Sequence, residues 1–141
     1  MTVRQILEQK GRDVAAFNPE TVMRQAIELL AEKGIGALVV LEDNKIVGIL
    51  SERDVVRAIA DHSASALDRP LSDFMTRDVK TCSESSTVEE VMDQMTDGRF
   101  RHLPVVDEGQ MVGIVSIGDV VKRRIRAAQQ EADSLKQYIA S

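Results

Sequence analysis

Residues 37–54, ALVVLEDNKIVGILSERD, recur 65 positions later as residues 102–119, HLPVVDEGQMVGIVSIGD. The two stretches superpose without a gap, and the same shift carries Arg12-Asp13-Val14 onto Arg77-Asp78-Val79. Internal duplication indicates an architecture built from repeated units. Each copy has only about 60 residues and is too small to bury much apolar core alone. The sequence therefore predicts two quasi-symmetric repeats that pack together.

Each copy predicts the same order of elements: strand, helix, strand, strand, helix. After Thr21 or Ser86, apolar residues follow the 3.6-residue period of a helix. Two apolar runs separated by a polar turn then predict a hairpin. A second helix begins near Arg53 or Gly118, and a short extended piece around Val14 or Val79 comes first. The predicted fold class is therefore α/β, with two β-α-β-β-α repeats and a helical C-terminal extension.

The predicted boundaries are 1–68 for the first repeat with its lead-in and connector, 69–127 for the second, and 128–141 for the tail. Residues 61–69 are rich in Ser, Ala and Asp and form the connector. A heptad-like apolar stripe runs through the tail, comprising Val121, Ile125, Ala128, Ala132, Leu135 and Ile139. Two interpretations stay open: the tail folds back on its own domain, or it clasps a dimer or docks a partner.

Bulk composition excludes several classes of function. A net charge of −5 argues against nucleic-acid binding, and the basic run 122–126 is typical of a solvated helix face. No long apolar run or leader is evident, so no membrane association and a cytoplasmic location are expected. Cys82 is the single cysteine, and neither histidine has a second ligand at metal-binding spacing. No metal site and no catalytic set are predicted.

The repeated Val-Gly-Ile-x-Ser-x-x-Asp segment is the part suited to binding. The carboxylate of Asp54 or Asp119 would lie near a helix N-terminus, where it can accept hydrogen bonds from ribose hydroxyls. Ser51 or Ser116 and the free N–H groups there suit a phosphate. Arg53 adds a cationic fork that Gly118 lacks, so unequal sites are expected. The alternative is a capping box that binds nothing, and both interpretations remain open.

These motifs, with Gly-Ile-Gly-Ala-Leu-Val-Val and His-Leu-Pro-Val-Val-Asp, resemble a pair of cystathionine-β-synthase (CBS) domains, or Bateman module. The resemblance covers roughly residues 3–126. It implies two repeats packed sheet to sheet, ligand clefts between them, and a homodimer. It also implies an adenosine ligand such as AMP, ADP, ATP, S-adenosylmethionine or sometimes NAD(H), with no obligatory cofactor.

Carried over residue by residue, the resemblance implies specific ligand contacts. Asp54 and Asp119 would bind ribose, with Ser51 and Ser116 beside them. The remaining implied contacts are the adenine-slot backbone at Ala37, Leu38, Val39, His102, Leu103 and Pro104, and the phosphate contacts Arg53, Arg101 and His102.

The function expected from these features is a non-enzymatic sensor that binds an adenosine nucleotide and signals to a protein partner by a conformational change. The rival hypothesis is an interaction scaffold whose ligand clefts are vestigial. An enzyme acting on a bound nucleotide is disfavoured, because no general base accompanies the predicted phosphate site.

Overall fold

The structure is a computed structural model, and it describes residues 1–140. Over these residues, five α-helices and five strands form the fold. The helices are α1 (Val3–Lys10), α2 (Met23–Lys33), α3 (Glu52–His62), α4 (Val88–Gly98) and α5 (Ile117–Ala140). The strands are β1 (Ala16–Phe17), β2 (Ala37–Glu42), β3 (Lys45–Ser51), β4 (His102–Asp107) and β5 (Gln110–Ser116). The predicted α/β class, the two repeats and the C-terminal helix are confirmed.

The first repeat contributes a three-stranded sheet in the order β1-β2-β3. β1 runs parallel to β2, while β2 and β3 form an antiparallel hairpin in which Ala37 is the partner of Ser51. Asp43 and Asn44 turn the hairpin with positive φ angles of 51° and 63°, a conformation that Asn and Asp tolerate well. The predicted hairpin is therefore present, and its register fixes Ser51 at the start of α3.

The second repeat contributes a two-stranded sheet, β4-β5, and its counterpart of β1 is reduced to a single parallel bridge between Cys82 and Val105. Pro104 supplies the physical reason. In the first repeat the N–H of Val39 donates to the carbonyl of Ala15 at 3.0 Å. Pro104 stands where the shift of 65 places the counterpart of Val39, and proline has no N–H to donate. The extended segments were predicted around Val14 and Val79. In the structure they lie two to three residues later, at Ala16–Phe17 and at Cys82.

The chain forms two compact units whose boundaries cross the sequence repeats. The first-repeat unit contains Asp13–Thr81 with Glu108–Met111, and the second-repeat unit contains Met1–Arg12, Cys82–Asp107 and Val112–Ser141. Each unit has its own apolar core. The N-terminal helix therefore belongs to the unit built around the second copy of the repeated sequence.

The helix α1, absent from the predicted element order, packs closely on the second-repeat unit. Val3, Ile6 and Leu7 are each at most 1% exposed. The side chain of Leu7 lies so close to Gly113 that a Cβ atom built on that glycine would meet it at 2.7 Å. In the other unit Met75 lies against Gly48 in the same way, at 2.6 Å. The two segments thus fill equivalent positions in their units.

The connector and the tail have different environments. The connector is ordered as a 3-10 helix, Ser63–Asp68, in which Ala66 is fully buried. In the tail, by contrast, every described residue of α5 after Arg123 is exposed. The interpretation that the tail folds back on its own domain therefore finds no support in the structure.

Candidate functional site

Both Ser-x-x-Asp segments form the N-termini of helices, at the ends of β3 and β5. The N–H of Ser51 donates to Asp54 Oδ2, and the N–H of Ser116 donates to Asp119 Oδ2, each at 2.9 Å. In return the N–H of each aspartate donates to the serine hydroxyl, at 3.4 Å for Asp54 and 3.2 Å for Asp119. The capping role is present in both copies, and it leaves the carboxylates at the ends of their helices.

The carboxylate of Asp54 is enclosed. Its side chain is only 5% exposed, and both of its oxygens accept hydrogen bonds. Oδ2 accepts from the hydroxyl of Ser51 at 3.2 Å, and Oδ1 accepts from the hydroxyl of Thr76 at 3.1 Å. The guanidinium of Arg57 approaches Oδ1 at 4.0 Å. Little of this carboxylate is therefore exposed for a ligand hydroxyl to reach.

The carboxylate of Asp119 is more open. Its side chain is 23% exposed, and Lys10 Nζ donates to Oδ2 at 2.7 Å. The hydrogen bonds from Lys10 and Ser116 both go to Oδ2, so Oδ1 accepts no hydrogen bond from residues 1–140. This oxygen is therefore available to a ligand.

Electrostatics keep Asp119 ionised. Partial burial raises the pKa of the carboxyl, but the hydrogen bond and charge of Lys10 and the hydrogen bonds from Ser116 outweigh it. The pKa of Asp119 is therefore lowered from its ordinary value. An ionised carboxylate with an open oxygen suits a pair of ribose hydroxyls, which are hydrogen-bond donors.

Two backbone hydrogen bonds bring some of the other predicted site residues next to these caps. The N–H of Glu52 donates to the carbonyl of Gly36 at 3.0 Å, and the N–H of Ile117 donates to the carbonyl of Arg101 at 2.8 Å. These bonds hold the start of β2 and of β4 next to the first turn of α3 and α5. Ala37, Arg101 and His102 are therefore brought to the caps.

Burial separates the predicted adenine contacts from the predicted phosphate contacts. The side chains of Leu38, Val39, Leu103 and Pro104 are buried, so these positions offer only backbone to a ligand. Arg53, Arg101 and Gly118 are exposed, and His102 is half-buried. A side chain at position 118 would fit sterically, since a Cβ there would meet only Ser116 Oγ at 3.6 Å.

Two site residues were not predicted from the sequence: Thr76, which contacts Asp54, and Lys10, which contacts Asp119. They are 22 and 109 residues from their aspartates. The 65-residue shift pairs Lys10 with Met75 rather than Thr76, so the duplication did not reveal them.

Cys82 lies outside this chemistry. It is buried in the core of the second-repeat unit, where loss of hydration raises the pKa of its thiol to about 11. The thiol therefore stays protonated near neutral pH and is a poor nucleophile. None of the helices among residues 1–140 has the length and apolar character needed to cross a membrane.

The family model of the CBS domain matches the chain twice, over residues 3–61 and 71–126. The chain belongs to the CBS domain family. Its two repeats are CBS repeats, and they match other CBS proteins over most of the chain.

A CBS-domain-containing protein from Agrobacterium tumefaciens is 43% identical, with a TM-score of 0.86, over 88% of this chain and 99% of that chain. A mitochondrial CBS domain-containing protein from Arabidopsis thaliana is 31% identical over 98% of this chain and 71% of its own length. The chain spans 66% of an uncharacterised protein from Acidianus ambivalens that is 36% identical over 77% of this chain.

Two relatives have solved structures in complex with adenosine compounds. A CBS domain protein from Pyrobaculum aerophilum, in complex with AMP, is 25% identical over 84% of this chain and 89% of that chain, with a TM-score of 0.75. A CBS domain pair in complex with 5′-methylthioadenosine and S-adenosyl-L-methionine is 25% identical over 92% of this chain and 98% of that chain, with a TM-score of 0.78.

Proposed function

We propose that this CBS protein is a non-enzymatic regulatory module that binds an adenosine-containing ligand at its Ser-x-x-Asp sites. The observation that carries the proposal is the carboxylate of Asp119. It is ionised, partly exposed and open at Oδ1, and it lies at the N-terminus of α5. Such a carboxylate accepts ribose hydroxyls, and the neighbouring helix N-terminus favours an anionic group.

The identity of the ligand is proposed from chemistry and from the relatives. One relative binds AMP and another binds 5′-methylthioadenosine and S-adenosyl-L-methionine. AMP, ADP, ATP, NAD(H) and S-adenosylmethionine share the adenosine half that the site would hold. Binding would bias the conformation of the module, and a protein partner would respond to that change, to the extent that the ligand's affinity differs between the two conformations.

Thermal unfolding tests this proposal directly. The purified protein is unfolded with each of these ligands, beside Asp54→Asn and Asp119→Asn variants, which keep an acceptor for the cap but lose the charge. A ligand at 100 times its dissociation constant should add about 2.7 kcal/mol of stability. We expect stabilisation by at least one adenosine compound, lost in Asp119→Asn. No stabilisation by any compound would contradict the proposal.

A second candidate function is an interaction scaffold with vestigial ligand sites. Two observations favour it: the enclosure of Asp54, which is 5% exposed, and the exposed apolar residues of α5. A scaffold would bind its partner equally well with and without nucleotide, and in both aspartate variants. Partner capture that is insensitive to nucleotide would therefore select this function over the sensor.

The assembly and location of the protein are also proposals. We infer a homodimer, because Leu135 is 60% and Ile139 74% exposed on the stripe along α5. We infer a cytoplasmic location, because a single buried cysteine suits a reducing compartment. The net charge of −5 supports a small-molecule ligand and a protein partner rather than nucleic acid or an anionic membrane.

A further inference from the structure

The two aspartate sites share the serine–aspartate cap but differ in the donor that reaches the carboxylate from outside the repeated segment. In the first-repeat unit, Thr76 makes two hydrogen bonds near the cap. Its backbone N–H donates to the carbonyl of Ile49 at 2.9 Å, and its hydroxyl donates to Asp54 Oδ1 at 3.1 Å. Both bonds come from a neutral residue.

In the second-repeat unit a single ammonium group bonds both a strand carbonyl and the capping carboxylate, here through Oδ2 rather than Oδ1. Lys10 Nζ donates to the carbonyl of Ile114 at 3.0 Å and to Asp119 Oδ2 at 2.7 Å. Ile114 is the counterpart of Ile49 at a shift of 65. Lys10 therefore places a positive charge beside the second cap, where the first cap has a neutral threonine.

Among residues 1–140, the ammonium of Lys10 donates two hydrogen bonds and retains a donor for a ligand. An ammonium carries three N–H donors, and two are used here. The side chain of Lys10 is 31% exposed and that of Asp119 is 23% exposed. A ribose bound at the open Oδ1 of Asp119 would lie beside this charge, so the 5′ substituent of the ligand would experience it.

We propose that Lys10 is a specificity-determining residue, which makes the second-repeat site prefer adenosine ligands with an anionic 5′-phosphate over those with a neutral 5′-thioether. The inference rests on the proposed function. A phosphate gains attraction from the ammonium, whereas a thioether carries no charge and is a weak acceptor. Asp119 alone would bind the ribose of either ligand equally well. Lys10 thus discriminates between the 5′-phosphate and the 5′-thioether.

Calorimetric titration with AMP and with 5′-methylthioadenosine tests the inference. Lys10→Met keeps the length of the side chain and removes its charge, while Lys10→Arg keeps the charge. We expect Lys10→Met to lower the affinity for AMP at least about tenfold. The affinity for 5′-methylthioadenosine should change less than about threefold. Lys10→Arg should retain the preference for AMP, and added salt should weaken AMP binding in the wild type more than in Lys10→Met.

The matched control is Lys80→Met, which removes an exposed lysine paired with Asp78 in the other unit. It should leave both affinities unchanged. The ratio of the two affinities is measured on the same protein sample, so partial loss of folding does not alter it.

Different results identify which proposal fails. If the wild type binds no adenosine compound, the proposed function fails and this inference with it. If AMP binding is lost in Asp119→Asn while Lys10→Met leaves the ratio of AMP to 5′-methylthioadenosine affinity unchanged, the function stands and the role of Lys10 is wrong. AMP binding that survives Asp119→Asn also overturns the role of Lys10, because the ligand is then held elsewhere.

Discussion

At the scale of single residues, helix capping and ligand binding are compatible roles for one carboxylate. Asp119 uses Oδ2 for the cap and for Lys10, and it keeps Oδ1 open. Asp54 uses both oxygens within the protein. The repeated motif therefore predicted the positions of both aspartates but not their availability, which depends on Lys10 and Thr76 from distant parts of the chain.

The lowered pKa of Asp119 predicts a pH-dependent contribution to stability. Its pKa in the unfolded chain is about 3.9, so the contribution is full above that pH and is lost as pH falls through the lower folded-state pKa. We expect Asp119→Asn to lower the free energy of unfolding at neutral pH by about 1 kcal/mol. The difference from the wild type should shrink at about pH 3, as measured by urea unfolding.

Asp97→Asn, at an exposed position on α4, is the control for that experiment and should show little effect at either pH. A difference between wild type and Asp119→Asn that is the same at neutral and acidic pH would mean that the charge of Asp119 does not contribute. The loss would then come from the geometry of the cap alone.

At the scale of elements, the local sequence pattern was sufficient to predict those helices and strands that are determined by residues close together in the sequence. The hairpins follow from apolar runs around polar turns, and α2 and α4 follow from apolar residues at helical spacing. The helix α1 was not predicted, although its local signals are present, namely a capping box at Thr2, apolar residues at helical spacing and Gly11 at its end. What local pattern could not indicate is the packing of this helix on Gly113, about a hundred residues away in sequence. A strand like β1 was also predicted in the second repeat. That strand is reduced to a single bridge, because Pro104 has no N–H to donate.

Pro104→Val tests that explanation of the missing strand. The new N–H at position 104 would lie where Val39 makes its hydrogen bond to Ala15 in the first repeat. We expect the amide to be protected from hydrogen exchange, because it would gain a backbone acceptor and extend the single bridge at Cys82 into a short strand. Rapid exchange at position 104 in a folded variant would show that proline is not what limits this strand. Val105→Ile, which leaves the backbone donors unchanged, is the control.

At the scale of the whole molecule, the repeats of the sequence and the compact units of the structure are different divisions of the chain. The duplication indicated two copies, but α1 lies with the second-repeat unit and Asp13–Thr81 forms most of the first-repeat unit. Sequence periodicity reports the length of the repeated segment, whereas the units report which side chains share a core. The predicted bounds therefore describe the sequence repeats, namely 1–68, 69–127 and 128–141. As bounds of domains they remain a prediction.

The exposed half of α5 gives the last prediction, which concerns assembly. The apolar stripe keeps the four-and-three spacing of a two-stranded coiled coil, and Leu135 and Ile139 on it are 60% and 74% exposed. In a parallel pair of α5 helices with this spacing, Glu131 and Lys136 would face each other as opposite charges. We expect the protein to be a dimer by light scattering after size exclusion, and Leu135→Glu to shift it toward the monomer.

Gln137→Glu, which adds the same charge on the opposite face of the helix, should leave the dimer intact. An unchanged mass for Leu135→Glu across protein concentrations would show that the stripe does not hold two copies together, and its exposed leucine would then be evidence for a different partner.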